Sequence, residues 1–247
     1  VKIIGVYNFK GGVGKTTAAV NLAYLASQEG EPVLLMDLDP QGASSYYLQT
    51  RMMKSPKLKR LFKGKIKLRS LIKETEFENL HVLPADFSYR KMDLILDNLK
   101  KPRRKLLSVL KSLKNRYSWI FIDSPTNISL VSENMFKAVD ILLVPVIPAP
   151  LSVRTYEELI VFFRKKKLKR EIIVPFYSMV QKQKKLHRDM IQIFSAREPS
   201  VLKICIPFLS DVEKMGIKQK PLPAFKSSSP ATIAFQKLWA EVKTKAG

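Results

Sequence analysis

The chain has 247 residues, near the upper size that one hydrophobic core organises. Its 46% hydrophobic and 26% charged content excludes extensive disorder, and no apolar run reaches the roughly 18 to 20 residues of a bilayer-crossing helix. Forty-four Lys and Arg against 21 Asp and Glu leave a net charge of +23, which predicts attraction to a polyanion, either nucleic acid or an anionic membrane surface, with a lysine-rich solvated surface as the plain alternative.

Cys205 is the only cysteine, and His81 and His187 are the only histidines. This excludes an internal disulfide and argues against a Cys/His metal site. Cys205 lies in the apolar run Val201–Ile206, where a thiol is expected to pack as a small buried hydrophobe. The opening stretch Val1–Val6 is too short for a secretory leader and runs directly into a motif, so a cytoplasmic protein is expected.

In chain order, the first predicted strand is Lys2–Tyr7. Directly after it comes Lys10-Gly11-Gly12-Val13-Gly14-Lys15-Thr16-Thr17, which opens a helix. Glycines let consecutive backbone N–H groups turn towards an anion, and the helix N-terminus adds partial positive charge. Lys15 is placed to reach β- and γ-phosphates, and the Thr16 hydroxyl to ligate Mg²⁺. The ordinary phosphate-loop pattern has a glycine where this chain has Phe9, and a second lysine, Lys10, stands ahead of the glycines.

A second strand, Val33–Asp37, leads into Asp37-Leu38-Asp39-Pro40-Gln41-Gly42. Arg51–Lys73 follows, with ten basic residues and no acidic one; it reads as an exposed basic insertion with helical pieces. Next come a strand at Leu80–Pro84, a helix striped by Leu106, Leu107, Leu110 and Leu113, and an apolar strand, Trp119–Asp123, ending in a carboxylate. A carboxylate at the C-terminal end of a parallel strand lies beside a phosphate loop and can hold Mg²⁺, often through water.

Beyond it lie a strand at Ile141–Val146 and a helix striped by Val153, Tyr156, Leu159, Ile160 and Phe163. The cations Arg164–Arg170 close that helix and suit its dipole. A strand at Glu171–Tyr177 is followed by Gln181–Arg188, a basic segment opening a helix. Lys182, Lys184, Lys185 and Arg188 there could contact nucleic-acid phosphates, the alternative being a solvated helix start; His187 reads as a surface or capping residue rather than a catalytic base. The last strand is Val201–Ile206. The tail carries Phe235, Leu238, Trp239 and Val242 on one face but no extended apolar surface for lipid, so it is expected to dock on the sheet. Strands alternating with helices predict an α/β fold: one domain, residues 1–247, with a mostly parallel twisted sheet and helices on both faces.

The Lys-Gly-Gly-x-Gly-Lys-Thr loop, with the Asp37–Gly42 and Ile120–Pro125 segments at their spacing, resembles the ParA/MinD superfamily of P-loop ATPases with a deviant Walker A motif. The resemblance covers nearly the whole chain, least tightly in Arg51–Lys73 and after Phe208. It implies that residues Gly11, Gly12, Val13, Gly14, Lys15, Thr16 and Thr17 hold ATP. Lys10 would cross a dimer interface to the partner's phosphates, a cation in trans that ties hydrolysis to dimerisation. Asp39 would orient and activate the attacking water, and Thr16, Asp37 and Asp123 would serve Mg²⁺. Met179, Pro207 and Phe208 would border the adenine, a plain core role for Met179 and Phe208 being the alternative.

Relatives that hold iron–sulfur clusters need cysteine pairs that this chain lacks, and the related tyrosine kinases need a tyrosine-rich tail, whereas the last tyrosine here is Tyr177. Two readings remain. One is a ParA-like ATPase that forms an ATP-sandwich homodimer, binds DNA non-specifically on the nucleoid, and segregates or positions a cargo through an adaptor that stimulates hydrolysis. The other is a MinD-like membrane ATPase; charge and the docked tail favour DNA. A regulator that binds only protein is a third class, which DNA and liposome assays would separate.

Overall fold

The computed structural model of the chain describes residues 1–51, 57–86, 92–99, 102 and 105–247. Among the described residues, eight strands form one sheet: β1 (Lys2–Val6), β2 (Val33–Asp37), β3 (Lys73–Glu74), β4 (Leu80–Leu83), β5 (Trp119–Asp123), β6 (Ile141–Val146), β7 (Ile173–Val180) and β8 (Leu202–Pro207). Their spatial order is β3-β4-β2-β5-β1-β6-β7-β8. All pairings are parallel except that of β3 with β4. The mostly parallel α/β architecture expected from the alternating pattern is therefore observed. Only the two-residue β3 had no sequence signal, being too short for any period and fully exposed.

Strands covered on both faces need two apolar faces, and side-chain alternation supplies them. Leu34 and Met36 of β2, with Ile120 and Ile122 of β5, enter one core. Val33, Leu35 and Phe121, of the same two strands, enter the other. The first core is covered by α5 (Lys105–Leu110), α6 (Leu130–Phe136), α7 (Pro150–Lys165) and α8 (Lys185–Arg197). Leu106, Leu110 and Leu113, and Val153, Tyr156, Leu159 and Phe163, are buried there, as their helical spacing predicted; Leu107 and Ile160 are half-buried at its margin.

The second core is covered by α1 (Lys15–Ser27), α9 (Ser210–Lys218), α10 (Leu222–Phe225) and α11 (Pro230–Ala246). In α11, Phe235, Leu238, Trp239 and Val242 are all buried. Each contributes about 1.5–3 kcal/mol by leaving water. Trp239 meets Trp119 edge to face at 4.8 Å, and its indole N–H donates to Glu29 at 3.0 Å. The tail is thus seated on the sheet. Among the described residues, no helix is long and apolar enough to cross a membrane.

Four expectations need correction. The strand predicted at Glu171 begins at Ile173, because Arg170–Ile172 forms a 3-10 turn, and it runs on to Val180. Cys205 is half-buried rather than buried, since its strand β8 is the edge of the sheet and has a neighbouring strand on one side only. His187 is buried, not on the surface, and it does not cap the helix: its Nδ1 accepts the N–H of Gln181, in the turn ahead of α8, at 3.2 Å.

The Arg51–Lys73 region, expected as an exposed basic insertion with helical pieces, has the helical pieces but is exposed only in part. It contains α3 (Lys57–Phe62) and a 3-10 turn at Leu68–Ser70, and Leu61, Phe62, Leu68 and Leu71 enter the first core while the cations from Arg60 onward stay exposed. Residues 52–56 of that region lie outside the described residues. Within the run Arg164–Arg170, Lys166 pairs with Glu133 at 3.0 Å and Arg170 with Glu198 at 3.0 Å.

Candidate nucleotide site

From β1 the chain runs outward to β2 and β4, returns to β5, then crosses β1 to β6, β7 and β8. Such a reversal opens a crevice at the carboxyl ends of the strands. A cavity of about 690 Å³ lies there, lined by Gly11, Gly12, Gly14, Lys15, Thr16, Thr17, Asp39 and Pro40, among others.

The loop between β1 and α1 forms one wall. Gly12 and Gly14 have φ of +69° and +89°, a region that L side chains avoid. A Cβ on Gly14 would also stand 2.9 Å from Ser178 Oγ, whose hydroxyl donates to the Val13 carbonyl at 2.8 Å. Helix α1 begins with no side-chain cap and no acidic residue in its first turn, so its free N–H groups and dipole suit an anion. Asn21 holds the helix in place, donating to the Thr17 carbonyl at 2.8 Å and accepting the Leu222 N–H at 2.8 Å.

Lys15 is buried at 7% exposure, and its ammonium donates to the Lys10 carbonyl at 3.2 Å. Burial pulls its pKa below the usual lysine range, while the charges of Asp123 and Asp39 oppose that. Lys10 is exposed, and its backbone N–H donates to Asn8 Oδ1 at 2.9 Å. The two lysines of the loop therefore occupy different environments, one inside the cleft and one at its rim.

The charges of Asp123 and Asp39 act on Lys15 of this loop, and Asp37 lies beside Asp123. Asp37 and Asp123 are register partners at the ends of β2 and β5, both fully buried. Ser45 donates to Asp37 Oδ2 from its N–H at 2.8 Å and its hydroxyl at 2.6 Å. Ser44 Oγ donates to Asp123 Oδ2 at 2.8 Å. Asp123 Oδ1 is buried with no hydrogen-bond partner among the described residues. Burial pushes both carboxyls above the usual carboxylate range; the charge of Asp123 adds to this for Asp37, whereas Ser44 and Thr16 oppose it for Asp123. Two buried carboxyls, one with an orphaned oxygen, beside a threonine hydroxyl make an oxygen donor set of the kind a hard divalent cation takes. Asp39 is half-buried and its carboxylate accepts the Gln41 N–H at 2.9 Å.

A second pocket of about 170 Å³ adjoins the first and shares Gly14, Thr17, Tyr47 and Met179 with it. Phe176, Ile206, Pro207, Phe208 and Val212 also line it. Met179 has φ of +55°, a left-handed conformation that is costly for a long side chain, at a register irregularity between β7 and β8.

Met179, Pro207 and Phe208 thus line one pocket beside the phosphate loop. Lys182, Lys184, Lys185 and Arg188 cluster elsewhere, in the turn after β7 and the first turn of α8, all exposed. Arg188 is partly engaged, donating to the carbonyls of Lys182 at 2.9 Å and Gln183 at 3.1 Å. Sequence reasoning missed Ser44, Ser45, Tyr47 and Asp93. The two serines follow the turn at Gly42, φ +68°, and hydroxyls just after a carboxylate-bearing strand end were the available signal. Asp93, in α4 (Met92–Asp97), accepts the Val131 N–H at 3.2 Å and so reaches the far wall; nothing local announces it.

Residues 1–174 match the family model of the AAA domain. An uncharacterised protein of Methanocaldococcus jannaschii, MJECL24, is 27% identical over 252 residues, 96% of each chain. The sporulation initiation inhibitor protein Soj of Bacillus subtilis is 34% identical over 146 residues, which is 59% of this chain and only 58% of Soj. Among solved structures, a plasmid partition protein from Borrelia burgdorferi bound to AMPPNP superposes with a TM-score of 0.83 at 22% identity, covering 99% of this chain and 98% of that one. The septum site-determining protein MinD of Pyrococcus horikoshii, complexed with Mg-ADP, gives 0.77 at 24% identity, covering 100% and 97%. With its phosphate loop at the strand reversal, two buried aspartates opposite and this set of relatives, the chain belongs to the ParA/MinD superfamily of P-loop ATPases.

Proposed function

We propose that the chain, acting as one unit over residues 1–247, is a Mg²⁺-dependent ATP hydrolase that closes as an ATP-sandwich homodimer. In that state it binds DNA non-specifically at the nucleoid, in the cytoplasm, and positions a cargo through an adaptor that stimulates hydrolysis. The observation that carries this reading is the contrast between Lys15, buried in the cleft, and Lys10, whose backbone is engaged while its residue stays exposed at the rim. A buried cation on the phosphates binds nucleotide within one subunit. An exposed one is free to act across an interface, where it would stabilise developing phosphate charge only after two subunits meet.

The backbone from Gly11 to Thr17 would cradle the phosphates. Thr16 and Asp123 would hold Mg²⁺, and Asp37, tied to Ser45, would support its water shell. Bound there, the ion would neutralise phosphate charge. Asp39, at the cleft surface, would orient the attacking water and take up its proton. The pocket of Met179, Pro207 and Phe208 would receive the adenine ring. The exposed set Lys182, Lys184, Lys185 and Arg188 supports contact with DNA phosphates.

Light scattering and ATP-binding measurements on Lys10→Ala test the proposal. The variant should bind ATP with near-parental affinity but neither dimerise nor hydrolyse. A normal ATP-dependent dimer of this variant would refute the role in trans.

A further inference from the structure

The basic region has a feature that nucleotide chemistry does not use. A groove of about 410 Å³ runs between the segment Leu61–Arg69 and the helical stretch Ser108–Leu113. Leu61, Leu68 and Leu113 are buried beneath it, and Ile66 and Val109 are half-buried along it. Lys67 and Arg69 line it, with Lys63, Lys65 and Lys111 exposed on the same two segments and Lys114 exposed directly after the second. None of these six cations has an ion pair among the described residues, and the stretch Arg51–Lys73 contains no acidic residue of its own.

We propose that this groove docks an acidic amphipathic helix of a partner protein. An apolar floor takes the aliphatic anchors that recur along one helix face, and a rim of unpaired cations selects carboxylates on its flanks and speeds encounter. A nucleic acid would satisfy the rim but leave the apolar floor uncovered. A second copy of this chain, at +23, is repelled by the same rim. The groove lies outside the nucleotide cleft, so docking requires neither ATP nor the phosphate loop.

The test is fluorescence anisotropy with a labelled leucine–glutamate peptide of roughly 18 residues, five turns of helix, its leucines at i, i+3, i+4 and i+7. A scrambled peptide of the same composition and a labelled DNA duplex serve as the other probes. The amphipathic peptide should bind at least about tenfold tighter than the scramble, a difference of about 1.4 kcal/mol. Ser108→Trp, which fills the groove from an exposed position on its wall, should weaken it about tenfold, as should Lys67→Glu with Arg69→Glu. Circular dichroism confirms that each variant folds. Lys15→Ala should bind the peptide unchanged, so loss of the ATPase reading would leave this result standing. Equal binding of the scramble, or undiminished binding by both groove variants, overturns the proposal. Tighter binding of the duplex, lost in the same variants, assigns the surface to nucleic acid and overturns it as well.

Discussion

Replacing Gly14 by alanine probes the phosphate loop at its most constrained point. At φ +89° an L residue is strained by roughly 1–2 kcal/mol. The new Cβ would lie 2.9 Å from Ser178 Oγ, so that hydroxyl must rotate away and abandon its bond to the Val13 carbonyl, about 1 kcal/mol more. Gly14→Ala should therefore lower stability by roughly 2–3 kcal/mol, read from urea unfolding at an unchanged m-value. Ser178→Ala removes both the obstacle and the hydrogen bond, and by itself costs about 1 kcal/mol. The double variant should cost less than the sum, with a coupling of about 1 kcal/mol. Nucleotide affinity should fall in Gly14→Ala, because the displaced backbone no longer presents its N–H groups to the phosphates. Strict additivity of the two substitutions, or a Gly14→Ala variant as stable as the parent, would refute the reasoning.

Three further outcomes are expected. Asp39→Ala should keep ATP binding and accumulate as dimer while hydrolysis falls by about 10²–10³, a parental rate in a phosphate-release assay being the contrary result. Replacing Lys182, Lys184, Lys185 and Arg188 by glutamate should abolish DNA binding but preserve ATP-driven dimerisation. In the parent, log affinity should fall linearly with log salt by about 0.9 per phosphate neutralised, and salt-insensitive binding or binding to liposomes in place of DNA would oppose the DNA reading. Burial raises the pKa of Glu198, but hydrogen bonds from Ser200, Tyr156 and Arg170 outweigh it and hold the carboxyl below the usual range. Its contribution is then present above the unfolded pKa and lost as pH falls through the folded one. Glu198→Gln should cost about 1–3 kcal/mol near neutral pH, shrinking below pH ~4, as read by denaturant titrations across pH.

The phosphate loop and the two aspartate segments were legible in the chain because their chemistry is local. A glycine-rich turn between a strand and a helix presents N–H groups whatever surrounds it, and a carboxylate at the end of an apolar strand marks the same edge. The strands β2, β5 and β6 were legible to the residue, since a strand covered on both faces is a continuous apolar run. Tertiary structure decided what depends on neighbours distant in sequence. It set β5 between β1 and β2, which makes Asp37 and Asp123 register partners and raises both pKa values through shared burial. It carried β7 three residues beyond its apolar run, so that Ser178 braces Gly14 and Met179 joins the two pockets. It also turned the basic region from a stretch of surface charge into a groove, because Leu61 and Leu68 join the first core and face Val109 and Leu113, distant in sequence, across it. Local pattern fixes which backbone groups can meet an anion; which carboxylate stands opposite them is settled only when the sheet closes around β1.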